Sequence, residues 1–392
     1  MRMRIGIDYT SAARQRAGIG RYTRELVAAL LSLEDVHQYT IFAAAGGLKD
    51  DDWRMEVQRE GIRVRTLPLS DDWLARLWHR LRLPIPVEVV TGPLEIFYSP
   101  DFALPPTVES TKTLLTVHDL SFVHHPATFV PSLQRYLETV VPRSIDRADL
   151  VLADSAHTRM DLTTLFDVSP EDVRVIYPGV DPRFQRGPEP SERERLHDRY
   201  GIGDEPYVLS VGTLQPRKNY VRLIEGFIQF QAEMGASAHL LIAGGRGWLY
   251  DDILAEAQKH ENVRLLGFVE DKDLPALYRG ADLFAFTSLY EGFGLPVLEA
   301  MACGTPVVCS NTSSLPEVAG DSALLVDPQS PDELAEAMIR AFGEEELREE
   351  MVNRGLAQAA EFTWERSARQ LLDVIESLGE TPQPASDGKE SQ

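Results

Sequence analysis

Three things are scarce in this sequence of 392 residues: cysteine, uninterrupted apolar segments and net positive charge. The two cysteines, Cys303 and Cys309, lie in apolar surroundings, which is typical of reduced core residues rather than of a disulfide scaffold or a metal site. No apolar run approaches the roughly 20 residues that a membrane-spanning helix needs. The formal net charge of −22 argues against a broad contact with nucleic acid, because phosphate binding needs a positive surface.

The N-terminal segment lacks the apolar core and the small-residue cleavage site of a secretion signal. Together with the reduced cysteines, this predicts a cytoplasmic protein. The apolar fraction of 43% and the charged fraction of 26% are typical of a globular enzyme. A chain of this length suits two domains better than one.

Short apolar segments alternate with amphipathic segments, an alternation that predicts parallel sheets covered by helices on both faces. The pattern occurs in each half of the chain. The predicted fold class is therefore α/β, with two doubly wound, Rossmann-like domains facing each other across a cleft. The predicted strands are residues 4–9, 39–44, 63–67, 94–98, 113–118, 150–153, 173–177, 207–211, 238–243, 262–266, 283–286, 306–310 and 323–326.

A segment rich in proline and charge, residues 182–191, predicts the connection between the domains. We place the N-terminal domain at 1–185, the linker at 186–202 and the C-terminal domain at 203–362. A helix at 363–379 follows, and the polar tail at 380–392 is expected to be disordered. Ligands of open parallel sheets bind beyond the carboxyl ends of the strands, so we expect functional residues on the loops that follow strands.

The most informative motif, residues 288–300, follows a predicted strand and opens a helix. Gly292 and Gly294 permit a sharp turn and a close approach of a ligand to the backbone, and the free amides of the helix start can bind an anion. Glu291 and Glu299 would stand about 12 Å apart on a continuous helix. That distance exceeds the roughly 5 Å of a retaining glycosidase pair, so the two carboxylates suit the two ends of one long polyhydroxyl ligand.

A basic motif follows the predicted strand 207–211 and contains Gly212, Arg217 and Lys218. An arginine and a lysine at the carboxyl end of a strand can neutralise a diphosphate, the first by chelation and the second as a point charge. An ordinary basic loop is the alternative interpretation.

The first predicted strand leads to Gly18 and Gly20 at the start of a helix. Position 23 is threonine where the dinucleotide fingerprint has glycine, which argues against a nicotinamide cofactor. The glycines still suit a phosphate or a sugar that approaches from across the cleft. His118 ends the strand 113–118 and is a candidate because a strand end faces the predicted cleft.

Two further groups are interpreted as structural. His124 and His125 lack a carboxylate or thiol at a spacing that would complete a metal site. Asp271 and Asp273 have the Asp-x-Asp form of a cation site, but Asp273 directly precedes a predicted helix and is interpreted as its N-cap. No metal site is predicted.

Residues 73–83, from Trp73 to Leu83, are basic and aromatic in an otherwise acidic chain. Two interpretations stay open. The segment lies on an anionic membrane surface or grips a lipid-linked acceptor, or it packs on its own domain with its arginines outward.

Taken together, these motifs resemble the retaining glycosyltransferases of family 4 (group 1), which have the GT-B fold. The segment from Glu291 to Glu299 is similar to the family's Glu-x7-Glu motif, and Gly212 with Arg217 and Lys218 resembles its diphosphate-binding segment. Residues 266–269 resemble the loop that holds the nucleotide base. Gly18 and Gly20 resemble the family's glycine loop, and His118 resembles its sugar-contacting histidine.

The resemblance implies that the C-terminal helix, residues 363–379, returns to the N-terminal domain. It also implies roles for individual residues. Glu299 would bind the ribose, Arg217 and Lys218 the diphosphate, and His118 the sugar near its 6-hydroxyl. The implied catalytic residues are His118, Arg217, Lys218 and Glu291. The implied donor-binding residues are Gly18, Gly20, Gly212, Arg217, Lys218, Phe268, Val269, Glu291, Phe293, Gly294, Leu295 and Glu299.

The first domain is most similar to bacterial polysaccharide mannosyltransferases. The resemblance thus implies transfer of mannose from GDP-mannose, with retention and without a metal or other cofactor, to a glycan or lipid-linked acceptor at the inner face of the membrane. Nothing in the spacing distinguishes guanine from uracil, so UDP-glucose or another UDP-sugar stays open as donor. An epimerase or a phosphorylase on the same scaffold also stays open, as does a non-catalytic subunit that binds nucleotide sugars.

Overall fold

Two parallel β-sheets frame the computed structural model, which describes residues 2–15, 18–33, 36–48, 52–187, 192–235 and 237–380. The strands of the first sheet are β1 (Arg4–Asp8), β2 (Gln38–Ala44), β3 (Arg63–Leu67), β4 (Ile96–Ser99), β5 (Lys112–Val117), β6 (Leu150–Ala153) and β7 (Val173–Val175). Those of the second are β8 (Tyr207–Val211), β9 (His239–Ala243), β10 (Val263–Gly267), β11 (Leu283–Phe286), β12 (Val307–Ser310) and β13 (Ala323–Val326).

Within the described residues, the strand orders are β3-β2-β1-β4-β5-β6-β7 and β10-β9-β8-β11-β12-β13. All strand pairs are parallel, and most strands are buried along their length, as expected for sheets that are covered on both faces. The order reverses between β1 and β4 and again between β8 and β11, and these switch points are where doubly wound sheets bind ligands. The predicted fold class is thus confirmed.

Helices cover both faces of each sheet. In the first half they are α1 (Thr10–Arg14), α2 (Ile19–Leu30), α3 (Asp52–Val57), α4 (Asp71–Leu74), α5 (Glu88–Thr91), α6 (Ser121–His124), α7 (Pro131–Ile145) and α8 (Ala156–Leu165). In the second half they are α9 (Glu192–Tyr200), α10 (Tyr220–Met234), α11 (Asp251–Ala257), α12 (Leu274–Gly280), α13 (Leu295–Ala302), α14 (Leu315–Ala319), α15 (Pro331–Gly343), α16 (Glu345–Ala360) and α17 (Trp364–Glu380). No helix in these described ranges is both long enough and apolar enough to cross a bilayer.

The last helix, α17, packs on α2 of the first domain. Its buried residues Trp364, Ala368, Leu371 and Ile375 form one helical stripe and join the apolar core around β1. The chain therefore crosses between the domains twice. Residues 381–392, most of the tail that we expected to be disordered, lie outside the described residues.

The segment predicted as a linker, residues 186–202, contains helix α9. Leu196 and Ile202 are buried in the core of the second domain, which explains why this charged segment is helical rather than extended. Residues 188–191 of the predicted linker lie outside the described residues.

Candidate active site

The two motifs of the second domain meet at the switch point of its sheet. Strand β8 is the neighbour of β11, so the loop after β8, with Arg217 and Lys218, lies beside the loop after β11, with Glu291. A single 3₁₀ turn, Pro216–Lys218, presents the two cationic side chains. Sequence and topology therefore bring three of the four predicted catalytic residues together.

Glu291 is buried between these two cations. Its Oε2 lies 2.9 Å from Arg217 Nη1, and its Oε1 accepts a 2.6 Å hydrogen bond from Lys218 Nζ. Burial acts to raise the pKa of Glu291, but Arg217 and Lys218 outweigh it and hold that pKa at about 2. Arg217 also donates to the carbonyl of Tyr290. The cations are thus fixed before any ligand arrives, and the trio keeps one positive charge for an anion.

The loop from Glu291 to the start of α13 offers backbone donors. Its Glu291 amide donates to Ser313 Oγ (2.9 Å), and Ser314 Oγ lies 2.7 Å from the Phe293 carbonyl oxygen. The amides of Phe293, Gly294 and Leu295 make no hydrogen bond with any described residue. Such free amides at a helix start are suited to an anion.

The side chains of this loop serve the fold. Phe293 is buried, and its ring centroid lies 6.1 Å from that of Tyr177 and 5.6 Å from that of Phe362. Gly294 has φ +119°, a conformation that favours glycine. Leu295 contacts the apolar cores of both domains. A ligand would therefore meet the backbone here rather than the side chain of Phe293.

Glu299, in α13, lies at the other end of the motif and is buried. Arg21 Nη1 of the first domain is 2.7 Å from Glu299 Oε1, and Tyr278 donates a 2.9 Å hydrogen bond to Oε2. Burial raises the pKa of Glu299 above its ordinary value, and Arg21 opposes that effect. This carboxylate therefore depends on a partner from across the cleft.

His118 follows β5 and is buried in the first domain. Its Nδ1 lies 2.7 Å from Asp154 Oδ2, and its Nε2 lies 3.2 Å from the carbonyl oxygen of Pro100. Burial disfavours the charged ring, but Asp154 outweighs it and raises the pKa of His118 to about 9. Both ring nitrogens are occupied, so the predicted contact with a sugar requires the bond to Pro100 to open.

The two domains touch beside these residues. Gly292 lies so close to the first domain that a Cβ there would stand 1.9 Å from the carbonyl oxygen of His118. Tyr290 donates to Asp161 of α8, and its ring stacks on His124 with centroids 5.0 Å apart. His124, interpreted as structural from the sequence, thus belongs to the contact between the domains.

A carboxylate of the second domain also caps a helix of the first. Glu317, in α14, accepts hydrogen bonds of 3.1 Å from the amides of Ala156 and His157, the first two residues of α8. A third hydrogen bond of 3.1 Å comes from the hydroxyl of Tyr177. These amides have no partner inside α8, so the second domain satisfies them.

The predicted glycines have different local roles. Gly18 has φ +60° and precedes α2, whereas a Cβ on Gly20 would stand 2.2 Å from the carbonyl oxygen of Gln15. Gly212 follows β8, and its carbonyl accepts a hydrogen bond of 2.8 Å from Tyr220. Close packing against Gln15 explains why position 20 is glycine. Gly212 lies directly against the site, because a Cβ there would be 3.1 Å from Lys218 Cε.

The predicted base-binding loop follows the edge strand β10. Phe268 is 53% exposed, whereas Val269 is buried in the core. An exposed ring beside the sheet edge can stack on a base, but the Val269 side chain cannot reach one from inside the core. Only its backbone is available to a ligand.

No group of three or more His, Cys, Asp or Glu side chains in the described part of the chain is arranged to hold a metal ion. Asp273 occupies the N-cap position of α12, as predicted, but its side chain does not cap the helix. Its carboxylate instead lies 3.0 Å from Arg195 Nε and 2.5 Å from Arg199 Nη1, both in α9, and accepts a hydrogen bond from Tyr200. The physical reason is its complete burial beside two arginines, which offer stronger donors than an amide.

The sequence does not predict three residues of the site: Arg21, Asp154 and Tyr278. Asp154 directly follows β6, so the rule that functional residues follow strands would have found it. Arg21 directly follows the glycine motif, but its partner Glu299 is far away in the sequence. Tyr278 lies inside an apolar helix and carries no such signal.

Comparisons with solved structures support the fold. Sucrose-phosphate synthase from Thermosynechococcus elongatus has a similar structure, with a TM-score of 0.75, 21% sequence identity and coverage of 96% of this chain and 99% of that chain. Anabaena HepE, solved in complex with UDP and glucose, gives a TM-score of 0.72 at 21% identity, with 96% and 100% covered. The architecture is the two-domain GT-B fold.

The sequence comparisons give the family. A family profile described as "Glycosyltransferase Family 4" matches residues 16–184, and one described as "Glycosyl transferases group 1" matches residues 192–358. The chain is 34% identical over 374 residues to the O-antigen chain mannosyltransferase B of Escherichia coli, covering 92% of this chain and 96% of that relative. The chain therefore belongs to the group 1, family 4 glycosyltransferases, as the motifs predicted.

Proposed function

We propose that this protein is a retaining hexosyltransferase that transfers mannose from GDP-mannose to a glycan or a lipid-linked acceptor in polysaccharide synthesis. The observation that carries the proposal is the buried trio of Arg217, Lys218 and Glu291 beside the free amides that open α13. The choice of mannose rests on the similarity to the Escherichia coli O-antigen mannosyltransferase, which extends over nearly the whole of both chains.

In the proposed reaction, the bond between the anomeric carbon and the β-phosphate oxygen breaks, and a bond to the acceptor oxygen forms on the same face of the sugar. The acceptor hydroxyl loses its proton to the leaving phosphate. Negative charge grows on the nucleoside diphosphate as the glycosidic bond breaks, and preorganised donors at that position stabilise the transition state. Arg217, Lys218 and the amides of residues 293–295 supply these donors, so the reaction needs no divalent metal.

The remaining predicted residues would fix the donor. Glu299 would accept hydrogen bonds from the ribose, and Phe268 would stack on the base. Glu291 would orient Arg217 and Lys218 and meet the sugar. His118 would donate to the sugar through Nε2 once the bond to the Pro100 carbonyl opens.

A panel of nucleotide sugars tests the donor directly, because a bound ligand raises thermal stability with the logarithm of its concentration over Kd. We expect the largest rise of Tm with GDP-mannose. A larger rise with UDP-glucose would instead support a uridine donor, which is suggested by the UDP and glucose in the HepE structure. Stabilisation by donor without hydrolysis or transfer would indicate a non-catalytic binding subunit.

The stereochemistry is tested by NMR of the product. A β-linkage formed from an α-linked donor would contradict retention.

We also propose that residues 73–83 contact the inner face of the cytoplasmic membrane. Leu74 and Trp78 pack into the domain core, so part of this segment is structural. Trp73, Leu81 and Leu83, however, are exposed next to arginines, a combination suited to an anionic lipid surface. The test is co-sedimentation with vesicles that contain anionic lipid or only neutral lipid. Binding that is equal for both kinds, or that persists when Leu81 and Leu83 are replaced by serine, would exclude this contact.

A further inference from the structure

The Glu299 carboxylate, which the proposed function assigns to the ribose, is held by an ion pair on one oxygen and a hydrogen bond on the other. Arg21 Nη1 lies 2.7 Å from Oε1, and the Tyr278 hydroxyl lies 2.9 Å from Oε2. The two donors belong to different domains, since Arg21 lies on α2 and Tyr278 on α12. The orientation of the carboxylate is therefore fixed jointly by both domains.

Arg21 is itself held in place. It lies in the first turn of α2, its side chain is 13% exposed, and its guanidinium stands 5.0 Å from the ring centroid of Phe184. One turn further along α2, Glu25 lies 3.2 Å from Arg183 in the segment that connects the domains. A partly buried guanidinium that lies over a ring keeps its geometry, which a freely moving surface arginine does not.

An ionised carboxylate can accept about four hydrogen bonds. Tyr278 donates to Oε2 and Arg21 forms an ion pair with Oε1, so acceptor sites are left on both oxygens. Two acceptors on neighbouring oxygens match the adjacent 2′- and 3′-hydroxyls of a ribose.

We propose that Arg21 is a positioning residue that reaches across the cleft and orients Glu299 for the ribose diol of the donor. This inference rests on the proposed role of Glu299. It adds that the first domain takes part in ribose recognition without touching the ribose. Because such coupling is reciprocal, a bound ribonucleotide favours the arrangement in which Arg21 reaches Glu299.

The test compares GDP with 2′,3′-dideoxy-GDP, which lacks both ribose hydroxyls, by calorimetric titration of the full chain. Uridine nucleotides are measured in parallel. Wild-type protein should prefer the ribose form by about tenfold or more, because hydrogen bonds to a charged group are lost with the hydroxyls. In R21Q the preference should fall towards unity through weaker binding of GDP, with little change for the dideoxy form. R21K, which keeps the charge without the planar fork, should restore part of the preference.

Two variants make the result specific. R24Q changes an arginine of the same helix that bonds to the carbonyls of Ala12 and Gln15, within the first domain, and it should keep the wild-type preference. E299Q removes the carboxylate itself and should lose the preference. If R21Q weakens both nucleotides equally, or binds GDP more tightly than wild type, Arg21 does not position Glu299. If E299Q loses the preference and R21Q keeps it, only the role of Arg21 fails; if E299Q keeps it, the ribose role of Glu299 fails as well.

Discussion

Glu291 and Glu299 lie in one short segment and both are buried, yet they obtain their partners from different regions. Glu291 is paired with Arg217 and Lys218 of its own domain, which hold its pKa at about 2. Glu299 is paired with Arg21 of the other domain, and burial raises its pKa above the ordinary value. The end of the site proposed for the diphosphate is thus assembled within one domain, whereas the end proposed for the ribose is complete only when the domains meet.

The largest effect is expected from substitutions in the group formed by Arg217, Lys218 and Glu291, which lies within one domain. R217A or K218A should lower kcat by about 10²-fold or more, because in the proposed reaction each side chain stabilises the charge of the leaving group. Activity should survive EDTA. R222A is the matched control, since Arg222 is exposed on α10 and pairs with Glu225. Near-wild-type rates in both alanine variants, or loss of turnover in EDTA with recovery on adding Mn²⁺, would contradict this assignment.

The contact between the domains can be broken at Gly292. In G292A the new Cβ would stand 1.9 Å from the carbonyl oxygen of His118, so the domains must move apart. We expect a loss of about 1–3 kcal/mol in the free energy of unfolding, the usual cost of overpacking. The preference for GDP over the dideoxy form should also fall, while the pairing of Glu291 persists.

A matched control for this variant is G245A, because a Cβ on Gly245 would meet no atom within 4 Å. Denaturant unfolding measures the loss of stability, calorimetric titration measures the preference for GDP, and small-angle scattering measures the separation of the domains. A G292A protein with wild-type stability and an unchanged radius of gyration would show that the domains do not meet there in solution.

The smallest expected effect concerns the His118–Asp154 pair. Both of its residues lie in the first domain, just as Glu291 and its two partners all lie in the second. Asp154 raises the pKa of His118 from an ordinary value of 6.5 to about 9. The pair therefore stabilises the fold fully below pH 6.5, and its contribution is lost as the pH rises through about 9. The difference in free energy of unfolding between wild type and H118Q should shrink over that range. A difference that stays constant from about pH 6 to about pH 10 would contradict a charged pair.

The sheets could be predicted because buried parallel strands leave a local signal, a short apolar run bounded by turns. Segments 63–67, 150–153, 207–211, 283–286 and 323–326 agree residue for residue with strands of the structure. The strand-end rule then places Arg217, Lys218 and Glu291 on adjacent loops, since β8 and β11 are neighbours.

What the sequence did not reveal depends on contacts between distant segments. Helix α9 lies within the predicted linker, and its few apolar residues, such as Leu196, gain their partners only from the folded domain. Likewise, nothing near Asp273 in the sequence indicates that arginines of α9 will bind it. The pairing of Arg21 with Glu299 joins two domains, and no local pattern contains it.

Because Glu317 of the second domain caps α8 of the first, hydrogen exchange at the start of α8 reports whether the two domains are in contact. The amides of Ala156 and His157 are bonded to that carboxylate only while the domains are together, because no carbonyl inside α8 can replace it. When the domains part, both amides return to water and exchange their hydrogens freely. The rate of deuterium uptake at these two amides therefore measures how often the domains separate, and it needs no attached probe.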